Sequence, residues 1–98
     1  MKFLNITDIE GNLVEENTNG RTWQANGDYG AITKQVIFRG KKVSYNVATF
    51  VNILFVRGMG KVNNTHNVWS NDIIQLKEGD VCEIENIGET NLVYLIFA

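Results

Sequence analysis

The stretch Asn71-Asp72-Ile73-Ile74-Gln75-Leu76-Lys77-Glu78-Gly79-Asp80-Val81-Cys82-Glu83-Ile84-Glu85 decides the fold, together with the turn Asn86–Asn91 and the run Leu92–Phe97 that follow it. Two apolar-rich strands, 72–76 and 81–85, flank a tight Lys77-Glu78-Gly79-Asp80 turn. Cys82 and Ile84 alternate with Glu83 and Glu85, so one face of that strand is apolar and the other charged. A third, apolar strand closes the chain at 92–97. Outward from this core the same cadence repeats. Gly/Asn/Asp clusters at 10–12, 17–20, 26–28, 39–41, 57–60, 63–67 and 70–71 separate short β-rich runs. Glycine supplies positive φ without a Cβ clash, and Asn or Asp can bond their own backbone in a turn. Sustained helical spacing is absent, and so is proline. The spacing predicts strands over 2–6, 12–15, 21–25, 31–38, 42–48, 50–57, 60–63, 72–76, 81–85 and 92–97, an all-β sandwich or barrel in one domain.

The 98 residues are 44% hydrophobic and 20% charged, ordinary composition for a globular chain. A net charge of −2 argues against a general electrostatic affinity for nucleic acid. No apolar run approaches the ~18 residues of a membrane helix. Met1–Asp8 lacks the apolar run of a secretory signal, and the single cysteine, Cys82, has no internal disulfide partner. A cytoplasmic protein is the expectation. Charge is segregated along the chain. Between Asp28 and Asp72 there is no acidic residue, whereas Asp72 to Glu89 holds six acids against Lys77. Opposed charges on strands that lie near each other, or across a dimer interface, explain that pattern. A basic mouth for an anionic small molecule, built from Arg39, Lys41, Lys42 and Arg57, is the sharper alternative.

From about residue 36 to 97 the chain resembles a small cupin. The second cupin motif, G, five residues, P-x-G, two residues, H, three residues, N, fits from Asn71 through Lys77-Glu78-Gly79 and Cys82 to Asn86. Gly79 and Asn86 are kept; Asn71, Lys77 and Cys82 replace the glycine, proline and histidine. The first motif runs between Gly40 and the 55–60 segment, taken as a hairpin. Asn46 and Ala48 fall at its histidine positions, with Ser44, Tyr45 and Val47 as near alternatives, and Val51 falls at its glutamate. The resemblance implies a cupin-like double-stranded β-helix, a jelly-roll barrel of two packed antiparallel sheets. Cupin metal sites use those histidines and that glutamate, so the substitutions imply neither a metal nor another cofactor. The first 30 residues match nothing in the family.

The pocket implied by this alignment is greasy: Val51, Ile53, Phe55, Cys82 and Ile84 inward, with Asn46 beside them. Trp69 and Trp23 offer aromatic faces that suit a sugar ring or core packing. Cys82, among acidic neighbours, reads as core filler, and His66 as a turn histidine with no placed partner. Tyr45 and Tyr94 read as structural. Three functions follow. The first is a homodimeric, metal-free protein holding a carbohydrate-like or other organic small molecule. The second is a metal-independent sugar-nucleotide isomerase or nucleoside-processing enzyme, which needs a polar side-chain pair in the barrel. The third is a structural or interaction module whose barrel is filled by its own side chains.

Overall fold

The computed structural model describes residues 12–25 and 31–98. Among these residues ten strands run in order: β1 Leu13–Glu16, β2 Gly20–Ala25, β3 Ile32–Ile37, β4 Lys42–Asn46 and β5 Val51–Arg57. They continue with β6 Gly60–Val62, β7 His66–Val68, β8 Ile73–Leu76, β9 Val81–Asn86 and β10 Leu92–Phe97. The strand expected over 2–6 lies outside the described residues. No helix in the described chain is long and apolar enough to cross a membrane.

The strands form two antiparallel sheets, β1-β2-β3-β10-β5-β8 and β4-β9-β6-β7. From β3 onward, consecutive strands lie in opposite sheets at every step except β6–β7. The 57–60 turn, expected as a hairpin, therefore carries the chain from β5 in one sheet to β6 in the other. Its geometry needs glycine: Gly58 has φ +91, and a Cβ there would stand 2.7 Å from the Asn91 carbonyl oxygen. A hairpin follows at β6–β7: β6 matches the strand expected over 60–63, whereas β7 falls in the stretch expected as a turn. Asn63 and Asn64 adopt φ of 50 and 58, and the Thr65 N–H donates to the Val62 carbonyl at 3.1 Å. Consecutive left-handed residues of this type favour tight reversal in an antiparallel ribbon. His66 is thus the first residue of β7, not part of the turn.

The core lies between the sheets. Phe55 and Tyr94 from the six-stranded sheet meet Cys82 and Ile84 of β9, all at most 1% exposed. Strand alternation puts Glu83 and Glu85 on the other face. There the charge segregation is resolved, because β9 is flanked by basic β4 and β6. Lys42 and Lys61 both stand opposite Glu85, and Lys42 Nζ lies 3.7 Å from Glu83 Oε1. Such exposed pairs contribute only about 0–1 kcal/mol each, so they set strand choice more than stability.

Asn86 is a polar residue sealed into the end of this core at 1% exposure. Its amide donates to the Ile37 carbonyl at 2.9 Å and the Thr90 carbonyl at 2.8 Å, and its Oδ1 accepts from the Gly88 N–H at 2.9 Å. One side chain thus ties β9 to β3 and shapes the 86–91 turn. Asn86→Leu keeps the volume but strands three backbone partners, each costly to bury unpaired. It should destabilise by about 2–4 kcal/mol in urea unfolding; a loss below about 0.5 kcal/mol would contradict this role.

Candidate functional site

A polar concavity of about 640 Å³ opens between β1–β3 and β4. Thr22, Thr33, Gln35, Lys42, Ser44 and Tyr45 line it, with Glu15 at its edge and Ile96 on its floor. Period-two alternation places Thr33 and Gln35 on the face of β3 that also carries the core residue Ile37. Register sets Thr22 opposite Gln35, and the Thr22 hydroxyl donates to Gln35 Oε1 at 2.6 Å. The Gln35 amide donates to the Val36 carbonyl at 3.1 Å. Both groups are therefore held in one orientation before anything binds.

Tyr45 ends this cleft. It pairs with Cys82 across the β4–β9 ladder, which turns its ring inward. Its hydroxyl hydrogen-bonds the Tyr94 hydroxyl of the opposite sheet at 2.5 Å. Phe55 packs on Tyr94 at 5.4 Å between centroids, and the two tyrosine rings meet edge-on. Burial dominates the acid–base behaviour of this group. It pushes the Tyr45 phenol up to about 12, partly offset by the hydrogen bond with Tyr94, and holds the Tyr94 phenol well above its usual range.

A second, apolar pocket of about 170 Å³ adjoins the far side of Tyr45. Val47, Val51, Ile53, Leu76 and Ile96 form its walls, with Asn46 at the rim. A third, of about 270 Å³, lies where β7 meets β8 and contains His66, Asp72 and Ile73.

Of the expected pocket residues, Asn46, Val51 and Ile53 come together in the 170 Å³ pocket. Phe55, Cys82 and Ile84 line none of these three cavities. In a sandwich this thin the inward faces interdigitate, and these side chains are consumed as core. Trp69 is 48% exposed at the β7–β8 connection, its backbone N–H donating to Asp72 Oδ2 at 2.8 Å. Trp23 sits under the Lys34 ammonium, 5.3 Å from the ring centroid. The four basic residues do not converge. Lys42 reaches the polar cleft, whereas Arg39 lies 3.4 Å from Glu89 at an exposed turn, and Lys41 and Arg57 are exposed outside the cleft lining. Thr22, Thr33 and Gln35 were not singled out in the sequence, and Ser44 stood there only as an alternative at a histidine position of the first motif. Alternation with Ile37 was the available signal for two of them; Thr22 is identified only by its pairing with β3.

The cupin metal position can now be tested on its side chains. Strand alternation turns Tyr45 on β4 and Val47 just after it inward, leaving Asn46 and Ala48 exposed. With Val51 on β5 and Cys82 on β9, the donor set is one phenol and one thiol. Burial, then the neighbouring Asp80, raises the Cys82 thiol, which disfavours the thiolate that a metal requires. Among the described residues no three His, Cys, Asp or Glu side chains gather where they could hold an ion. These residues do not fit a cupin transition-metal centre.

Two measurements check the site's electrostatics. Raised phenol values favour the protonated folded state, so their stabilisation is complete below the unfolded tyrosine value of about 10 and is lost as pH rises above it, through about 12 in the case of Tyr45. Urea midpoints should fall over that window, and Tyr94→Phe should flatten the fall; an equally steep decline in the variant contradicts this assignment. Cys82 should resist thiol reagents in native protein and react fully in urea, whereas fast native labelling would place it outside the core.

No protein-family model matches this chain, and neither does any curated protein. Solved structures do match. A Vibrio parahaemolyticus protein of unknown function superposes with a TM-score of 0.71 at 12% identity, over 88% of this chain and 97% of its own. The oxalate decarboxylase of Lactobacillus farciminis gives 0.71 at 20% identity, over 85% of this chain and 30% of that enzyme. A Ralstonia eutropha protein of unknown function with a cupin-like fold gives 0.65 at 9% identity, over 82% of this chain and 55% of its own. This chain thus spans about a third of the decarboxylase. At such identities the likeness concerns architecture alone. Two antiparallel sheets, strands that switch sheets at nearly every turn, and these likenesses together show that the chain has a cupin-like jelly-roll fold.

Proposed function

We propose that this protein binds a neutral, polyhydroxylated small molecule, carbohydrate-like in chemistry, in the cleft between β1–β3 and β4. The observation that carries this reading is the cleft itself: about 640 Å³, within the usual size of ligand sites, walled by hydroxyl and amide side chains. Gln35 and Thr22 are pre-oriented by their mutual hydrogen bond, which lowers the entropic cost of binding. Charge in the cleft is balanced. Lys42 faces Glu83 at its outer side and Glu15 stands across the opening, so a strongly anionic substrate such as a sugar nucleotide finds no cluster of cations. The polar pair that an isomerase needs is available in Tyr45 and Tyr94, but their phenols are held protonated and bonded to each other. That arrangement suits positioning a ligand better than removing its protons. Binding without metal agrees with the donor set around Cys82.

Thermal unfolding with neutral sugars and polyols tests this directly. A ligand present at about 100 times its Kd stabilises by about 2.7 kcal/mol, which raises Tm by about 10 °C or more in a domain of this size. Tyr45→Phe and Ser44→Ala should each shrink the shift. No shift with any member at millimolar concentration contradicts the reading, as does a shift that both variants leave intact. Incubation with Mn²⁺, Fe²⁺ or Zn²⁺ followed by dialysis should leave the protein without stoichiometric metal; one retained ion per chain contradicts the metal-free part.

A further inference from the structure

We infer that the ligand is two-part: a polyhydroxylated head joined to one uncharged apolar group the size of a single aromatic ring, as in an aryl glycoside. The inference rests on the reading just given and specifies what lies beyond the head. Tyr45 and Ile96 wall both the polar cleft and the 170 Å³ apolar pocket, so the two concavities adjoin across these two side chains. The apolar pocket is not part of the sealed core. Its rim is the β4–β5 connection, where Ala48 and Thr49 are exposed and the neighbouring Phe50 is 51% exposed. Open apolar walls gain when an apolar group replaces the water against them.

Volume sets the size of that group. An apolar cavity of about 150 Å³ accommodates benzene, so 170 Å³ takes one ring or a short branched alkyl group and excludes a lipid tail. Chemistry sets the order of the parts. Thr22, Thr33, Gln35 and Ser44 lie on one side of Tyr45, and Val47, Val51, Ile53 and Leu76 on the other. A ligand with hydroxyls at one end and a ring at the other matches both walls at once. A plain sugar leaves the apolar half wet, and a plain hydrocarbon leaves the polar half unused.

The test is calorimetric titration of the full chain with matched methyl and phenyl β-glycosides of glucose, galactose and mannose. In at least one pair the phenyl member should bind about tenfold or more tighter, the return expected for burying a ring. Ala48→Trp and Thr49→Trp, both at exposed rim positions, should each bring the phenyl affinity down toward that of its methyl partner. Equal affinities within every binding pair overturn the two-part ligand while leaving the polar cleft as a sugar site. A phenyl preference that survives both rim variants also overturns it, because the ring then sits elsewhere. If no glycoside of either kind binds, the sugar-site reading fails together with the inference.

Discussion

A phenol in the middle of a β-sandwich must find a partner, and meeting that requirement organises this molecule. Tyr94 lies on β10, the strand between β3 and β5, and none of its surface is exposed. Its ring packs on Phe55, while its hydroxyl sits too deep for water. An unpaired buried hydroxyl costs about 1–3 kcal/mol. The partner comes from the other sheet, where pairing with Cys82 turns Tyr45 inward. The bond between the two hydroxyls therefore joins the sheets through their centre. It also fixes one ring as the partition between a polar cleft and an apolar pocket.

The same constraint explains how a cupin-like scaffold carries a site of different chemistry. In the cupin pattern the inward positions of these strands hold ion ligands. Here they hold Tyr45, Val47, Val51 and Cys82: Cys82 is packed core, and the other three leave only a small apolar pocket. What stays open is the lateral space where β1, β2 and β3 extend the large sheet past β4. Residues 13–25, outside the stretch that resembles cupins, supply one wall of it through Thr22. The part of the chain with the least recognisable sequence thus helps form the most ligand-like surface.

Much of the fold was legible because strand and turn chemistry are local. The 77–80 and 86–91 turns, the split faces of β9 and the apolar β10 stand where their residues imply. The segregation of charge also anticipated that β9 would lie beside basic strands. Two kinds of information were not local. Whether a turn closes a hairpin or carries the chain between sheets depends on distant pairing, so the 57–60 turn was read as a hairpin and β7 was missed beyond Asn63-Asn64. Which residues face inward depends on register, and a shift of one position exchanges Asn46 for Tyr45. Counting between motif glycines could not choose; the ladder with Cys82 does. Phe55, Cys82 and Ile84 were rightly read as inward, but an inward face lines a pocket only where the opposite sheet stands back.

Residue-resolved NMR on labelled protein, titrated with a neutral glycoside, tests most directly whether the space beside Tyr45 is the binding place. Shift changes concentrated at Thr22, Gln35, Ser44 and Tyr45 are expected. Saturable changes confined to His66, Asp72 and Ile73 at the β7–β8 seam, with the Tyr45 neighbourhood silent, would contradict it.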